Sequence, residues 1–227
     1  MEAFANLFRV IFSPTAAFER IKEKPAWWVP AIVFILAAML YAYISAPLAT
    51  EFAQQEMMRQ SSQMSPEQLE QAQQMLNSPI AKVITMVSTL IAAIVSILIQ
   101  VGLLHLVSSM LGGSARFAVG LAAIAYANMP IVVQQLVFSI NTVFSKTLVM
   151  PGFTAMLPRD QATSILGTFL GRIDIFAIWS FALVAVALSI VYKLSKGKAA
   201  AVVIGYWTAG TIVAVAASAI GRAVGGA

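Results

Sequence analysis

The sequence contains no cysteine and a single histidine, His105, among its 227 residues. The absence of cysteine excludes disulfides, thiolate nucleophiles and thiolate metal sites, and one histidine alone does not make a metal site. Charged residues are also scarce, at 10% of the chain against about 25% in ordinary soluble domains. No paired carboxylates or nucleophile–base motif stands out, so we expect no enzymatic activity and no cofactor.

Hydrophobic residues make up 60% of the chain and are gathered into five long apolar runs. Each run has about 20 residues or more, which at about 1.5 Å per residue crosses a hydrocarbon layer of about 30 Å. Backbone that meets lipid must satisfy its own polar groups, so the runs must be helical. They cover residues 27–49, 80–104, 119–140, 173–192 and 199–220. The sequence therefore predicts an all-α polytopic protein, a five-transmembrane-helix bundle forming one membrane domain over residues 27–220.

Residues 1–26 have helical patterns of their own, in which apolar residues recur every three or four positions and Ser13-Pro14 begins a second short helix. The apolar run that follows is longer than the core of a signal peptide, so we expect a retained segment. Trp27 and Trp28 suit the headgroup zone and are candidate interfacial anchors. We expect a cytoplasmic interfacial amphipathic segment, either a simple lead-in to the first span or a sensor of anionic lipid.

Residues 50–79 are rich in glutamine and methionine and carry the tetrapeptide Ser65-Pro66-Glu67-Gln68. This combines an N-cap, a proline at the first helical position and the glutamine of a capping box. It predicts an outer helical hairpin, with helices over residues 50–63 and 66–77. Residues 221–227 are predicted to form a short outer tail.

Basic residues favour one orientation, because short loops rich in Lys and Arg stay in the cytoplasm. Eight of them fall before the first span, after the second, or between the fourth and fifth. These are Arg9, Arg20, Lys22, Lys24, Arg116, Lys193, Lys196 and Lys198. The sequence therefore predicts a cytoplasmic N-terminus and an outer C-terminus.

The third span carries the best set of polar side chains at membrane depth, with Asn128 and Gln135 on one helix face. Pro130, near its middle, cannot donate to the carbonyl of Tyr126, which leaves a backbone acceptor free. Gln100 offers a partial complement on the second span. Two interpretations are open: hydrogen bonds between helices, or a polar path for a small molecule, lipid or ion.

Two other groups of residues are candidates for interfacial and packing roles. Arg172 and Asp174 are candidate interfacial anchors, because Arg172 can extend to the headgroups. Asp174 can alternatively hold a neighbouring span through Gln134 or Gln135. His105 is expected to form a hydrogen bond at the cytoplasmic end of the second span. A ridge of small residues on the fifth span comprises Ala201, Gly205, Ala209, Ala217 and Gly221. Such ridges let helices approach closely; we expect packing within the chain, and oligomerisation stays open.

Three stretches resemble the Yip (Ypt-interacting protein) family. Residues 8–30, FRVIFSPTAAFERIKEKPAWWVP, resemble the opening of bacterial members. A second stretch similar to the family begins at Gly112-Gly113 and Phe117 and continues to Tyr126-Ala127-Asn128-Met129-Pro130. The third, residues 174–180 (DIFAIWS), is similar to the start of the family's fourth span.

The resemblance implies a five-spanning protein of a bacterial or archaeal plasma membrane with a cytosolic N-terminus. Eukaryotic members are linked to Rab-type GTPases, but this chain lacks their Asp-Leu-Tyr-Gly-Pro and Gly-Tyr-Gly-Tyr-Ser motifs, so Rab binding does not carry over. We expect a non-enzymatic scaffold or partner-binding protein, with membrane lipid and other membrane or cytoplasmic proteins as partners and no nucleic acid. The alternative is a small-molecule, ion or lipid transporter or channel that uses the polar face of the third span.

Overall fold

The computed structural model describes residues 2–59, 65–158 and 161–225, and this part of the chain is helical without a β-strand. The predicted hairpin turn at 60–64, the loop residues 159–160 and the end of the predicted tail at 226–227 lie outside the described residues. The helices are α1 (Glu2–Phe12), α2 (Pro14–Glu23), α3 (Trp28–Arg59), α4 (Pro66–Asn77), α5 (Pro79–Met110), α6 (Phe117–Ala127), α7 (Met129–Ser145), α8 (Ile165–Gly171), α9 (Ile175–Val191) and α10 (Lys196–Gly225). A short 3-10 helix, Gly152–Met156, lies between α7 and α8.

Four stretches of helix in this part of the chain are long and apolar enough to cross a membrane. They are Trp28–Gln55, Pro79–Met110, Phe117–Ser145 and Lys196–Arg222. A fifth arises if α8 and α9, which meet at a bend of 52°, are counted as one broken span. The all-α, multi-pass membrane architecture predicted from the sequence is confirmed.

The helices extend beyond the apolar runs that predicted them. Helix α3 continues without a break from the first span to Arg59, because its polar end is built largely of residues that favour helix. The first arm of the predicted hairpin is therefore an extension of the first span. Helix α5 begins at Pro79, where a missing N–H costs nothing.

The chain divides into two compact units. The first comprises Met1–Phe34, Ser96–Gln134 and Met150–Ala227, and the second Ile35–Val95 and Gln135–Val149. In the first unit, α6 packs against α9, and α9 against α10. Nearly every residue of α6 is buried, because its Ala- and Gly-rich sequence lets neighbouring helices approach closely.

Helices α1 and α2 pack on one another, on α6 and, through α2, on α9. The apolar stripe predicted for α2 is fully buried at Ala17, Phe18 and Ile21. The hydroxyl of Tyr126 donates to the carbonyl of Ala3 across 2.8 Å. The N-terminal segment is thus built into the first unit by the packing of α2 and by this hydrogen bond.

In the second unit, α4 begins with the predicted capping box. Gln68 N donates to Ser65 Oγ across 3.2 Å, and Ser65 N donates to Gln68 Oε1 across 3.0 Å. Gln54 Nε2 donates to Asn77 Oδ1 across 3.0 Å, which ties the extended end of α3 to the end of α4. The two arms of the outer hairpin are therefore joined by a side-chain contact.

Candidate functional site

The side chain of Asn128 connects three helical segments inside the first unit. Its Nδ2 donates to Gln100 Oε1 on α5 across 2.7 Å, and its Oδ1 accepts from Ser180 Oγ on α9 at 2.9 Å. Asn128 is 6% exposed, Gln100 8% and Ser180 2%. A buried amide bonded at both ends fixes the mutual position of these helices, because an unpaired polar group in this setting is costly.

The third span is interrupted at Asn128, between α6 and α7. Pro130 has no N–H, and Ile131 N donates to Asn128 O across 3.0 Å. The carbonyl of Ala127 accepts from Ser180 Oγ at 3.1 Å. The sequence predicted that the carbonyl of Tyr126 would be the free backbone acceptor. The carbonyl that accepts from another helix is that of Ala127, one residue later.

A cavity of about 230 Å³ adjoins this network within the first unit. Its polar lining comes from Ser96, Gln100, Asn128, Arg172, Ser180, Tyr206 and Trp207. Trp207 Nε1 donates to the carbonyl of Arg172 across 3.2 Å, so the break between α8 and α9 is fastened to the middle of α10. The cavity combines one cationic side chain with neutral hydrogen-bonding groups.

The structure places Arg172 at a break between two helices, and its role as a headgroup anchor stays a prediction. It lies at the junction of α8 and α9, where its carbonyl is bonded to α10, and its side chain lines the cavity. The sequence suggested the start of a span because the apolar run begins there. In the structure, α8 precedes it and packs on α10, so Arg172 lies at the 52° bend between two helices.

Asp174 does not hold a neighbouring span through Gln134 or Gln135. Its Oδ1 accepts from the backbone N–H groups of Phe176 and Ala177 at 2.8 and 3.2 Å, which caps α9. Its Oδ2 accepts from Gly152 N at 3.0 Å. Gly152 has a positive φ of 57° and a Cβ there would meet the carbonyl oxygens of Leu170 and Ile173. The carboxylate therefore anchors the loop at Gly152 to the start of α9.

The remaining predicted residues are distributed between the units. Gln135 belongs to the second unit, and its buried Oε1 has no hydrogen-bond partner among the described residues. His105 Nδ1 shares a 2.8 Å hydrogen bond with the hydroxyl of Tyr192, as expected of a hydrogen-bonding histidine. Trp27 and Trp28 are exposed at the start of α3, and their place in a headgroup zone stays a prediction.

The small-residue ridge of α10 is not packed within the described part of the chain. Its five members, Ala201, Gly205, Ala209, Ala217 and Gly221, are all exposed. Positions where a Cβ would meet no atom within 4 Å include Gly205 and Gly221. Within the first unit α10 turns its other face to α8 and α9, and the packing partner of the ridge stays a prediction.

Sequence reasoning missed Ser180 and the inward position of Arg172. Ser180 is one of two serines in an apolar run, a weak signal beside the amides. The break before α9 was visible only as Gly171 and the polar pair Arg172 and Asp174. Such residues also mark the ends of ordinary spans, so the sequence alone does not separate the two cases.

Comparison with known proteins agrees with this architecture. The family model described as the Yip1 domain matches residues 8–217. A curated relative, "Membrane protein YknW" of Bacillus subtilis (strain 168), is 27% identical over 199 residues, which cover 84% of this chain and 80% of the relative. No solved structure matches the chain.

Proposed function

Because the chain belongs to the Yip1 domain family, we propose that it is a non-enzymatic scaffold of a bacterial plasma membrane, with its N-terminus in the cytoplasm and its C-terminus outside. In this proposal the α1–α2 pair engages the bilayer, and the ridge on α10 accepts the transmembrane helix of a partner protein. The polar network at Asn128 holds the first unit together.

The observation that carries the proposal is the outward aromatic row of α1. Phe4, Phe8 and Phe12 are 55%, 68% and 81% exposed, while Asn6 and Val10 on the other face are buried. The ring of Phe4 meets that of Trp28 edge-on at 6.4 Å, so the row continues into the start of the first span. Aromatic rings at that level suit the bilayer interface.

The proposed orientation is supported by the grouping of basic residues at one end of the first unit. Ser114 N donates to Tyr192 O across 3.3 Å, and Lys198 Nζ donates to Leu111 O across 3.0 Å. These bonds bring the loop after α5 and the loop before α10 together. Arg116, Lys193, Lys196 and Lys198 all lie in or beside these two loops, which favours the cytoplasmic side.

The proposal is tested by single cysteines in this cysteine-free chain. Phe8→Cys and Glu19→Cys both lie at exposed positions, the first on the aromatic row and the second on α2. In nanodiscs, a fluorophore on Phe8→Cys is expected to be quenched by spin-labelled lipid, and one on Glu19→Cys by an aqueous quencher. Quenching of both labels by the aqueous quencher alone would contradict a membrane-engaged α1.

A transporter or channel is the second candidate, favoured by the polar cavity and the 52° break between α8 and α9. Asn128→Cys and Gln135→Cys can be labelled with an impermeant thiol reagent from either side, with Leu121→Cys as the apolar control. Transport requires that a site be reached from both sides in turn. Labelling from one side or none favours the scaffold, and labelling from both favours transport.

A further inference from the structure

The cavity beside Asn128 contains a cationic group in an otherwise neutral setting. Among the described residues that line it, there is no acidic side chain. The nearest carboxylate in sequence is Asp174, and both of its oxygens are bonded to backbone N–H groups. The charge of Arg172 is therefore not neutralised by a partner in the cavity wall.

The guanidinium of Arg172 has unused hydrogen-bonding capacity. Its Nε is buried and has no hydrogen-bond partner within the part of the chain that the structure describes. Its Nη2 lies against α10, 3.1 Å from where a Cβ on Gly210 would be. The absence of a side chain at Gly210 leaves the guanidinium room to face the cavity.

The position of Arg172 along the span raises the cost of leaving this charge alone. Trp207, which is bonded to the carbonyl of Arg172, is about 16 Å along α10 from Lys196 at about 1.5 Å per residue. This is close to the middle of the span Lys196–Arg222. A cation at that depth is expensive without a counter-charge, and charged side chains inside membranes are by default candidates for ligand binding.

We propose that this cavity binds the phosphate group of a small anion, with Arg172 as its counter-charge. The amide of Gln100 and the hydroxyl of Tyr206, which also line the cavity, supply neutral hydrogen bonds beside it. Guanidinium and phosphate match in geometry and form charge-assisted hydrogen bonds. The volume of about 230 Å³ is below the roughly 300–1,000 Å³ of drug-sized sites, so the ligand is a lipid headgroup or a free phosphate.

The test measures the thermal unfolding midpoint of the full chain in micelles of dodecyl maltoside, whose headgroup carries no phosphate. One arm adds phosphatidylglycerol to the micelles, and the other adds inorganic phosphate against chloride at equal ionic strength. A ligand that binds only the folded protein raises Tm, and we expect a rise of about 5 °C near saturation. A rise with phosphatidylglycerol alone identifies a headgroup, and a rise with inorganic phosphate identifies a free anion; either supports the site.

Two variants locate the effect. Arg172→Gln removes the charge and should abolish the rise, whereas Arg222→Gln, at an exposed position near the end of α10, should keep it. If Arg172→Gln does not fold, Gln100→Glu replaces it. The new carboxylate can still accept from Asn128 Nδ2 and places a counter-charge in the cavity, so it should also abolish the rise. The proposal is overturned if neither addition raises Tm more than chloride does, or if the rise persists in Arg172→Gln or Gln100→Glu.

Discussion

Asn128 and Gln100 share a 2.7 Å hydrogen bond between two buried side chains that are 28 residues apart in the chain. Because the other end of the Asn128 amide accepts from Ser180 Oγ, the same group holds α5, α9 and the junction of α6 and α7. The contact uses the two amides that the sequence singled out on the second and third spans. Its geometry agrees with the interpretation of this polar face as a hydrogen-bonded contact between helices.

Asn128→Leu should destabilise the protein by about 1–3 kcal/mol, since it leaves the Gln100 carbonyl oxygen and the Ser180 hydroxyl buried without this partner. Hydrogen bonds between membrane helices average about 0.6 kcal/mol each. The lower end of the expected loss therefore corresponds to the two bonds that Asn128 makes with Gln100 and Ser180. The measurement is the free energy of unfolding in mixed micelles. Asn141→Leu is the matched control, because Asn141 is exposed and is bonded only locally to Ser145. Equal effects of the two changes would contradict the role of Asn128.

Phe18→Ala should release the α1–α2 pair from the first unit. Phe18 is fully buried, and truncating a buried phenylalanine costs about 3–5 kcal/mol. Hydrogen exchange is expected to accelerate throughout residues 2–23 and to stay slow in α9. Phe12→Ala, which truncates a ring that is 81% exposed, should leave exchange in both regions unchanged. Protection of α2 in Phe18→Ala would show that the packing of this ring is dispensable.

Gly120→Ala should disturb the contact between His105 and Tyr192. A Cβ at position 120 would overlap the hydroxyl of Tyr192, which shares the 2.8 Å bond with His105. We expect a loss of about 1–3 kcal/mol, as in other overpacked sites, measured as the free energy of unfolding. In a Tyr192→Phe background the same change should cost less, because the overlapping oxygen is gone.

The control for Gly120→Ala is Gly102→Ala in α5, where a Cβ would meet no atom within 4 Å. That change should be neutral or slightly stabilising, since alanine favours helix over glycine. Equal costs of Gly120→Ala in the two backgrounds would rule out the hydroxyl as the cause.

Asp174→Ala should loosen two places at once, the first turn of α9 and the loop at Gly152. Loss of an N-cap costs about 0.5–2 kcal/mol, and here a second backbone donor also loses its acceptor. Amide exchange at Gly152, Phe176 and Ala177 should accelerate together. Ser164 caps α8, because its hydroxyl accepts from Gly167 N at 2.9 Å. The control Ser164→Ala should accelerate exchange in α8 without changing exchange at Gly152. Unchanged exchange at Gly152 in Asp174→Ala would contradict the anchoring role.

The parts of the structure that follow from local chemistry were predictable from the sequence. Long apolar runs require helices in lipid, and the capping box at Ser65 depends only on residues three apart. The pairing of Asn128 with Gln100 was suggested by their depth. By contrast, the inward position of Arg172 depends on how α8 packs on α10, and the outward ridge at Gly205 depends on which face of α10 is used. The position of Arg172 and the exposure of the ridge are both decided by contacts between distant segments. The spacing of apolar residues along the chain carries no information about such contacts.

The burial of Phe18 against helices formed late in the chain has a consequence for biosynthesis. Helix α2 leaves the ribosome about 170 residues before α9 is complete, which at about 5–20 residues per second is a wait of roughly 8–34 s. During that interval the side chains of α2 that will be buried have no protein surface to cover them. The nascent α1–α2 pair must then be sheltered by the membrane surface or by a chaperone, and the first unit closes only after the last helices have been inserted.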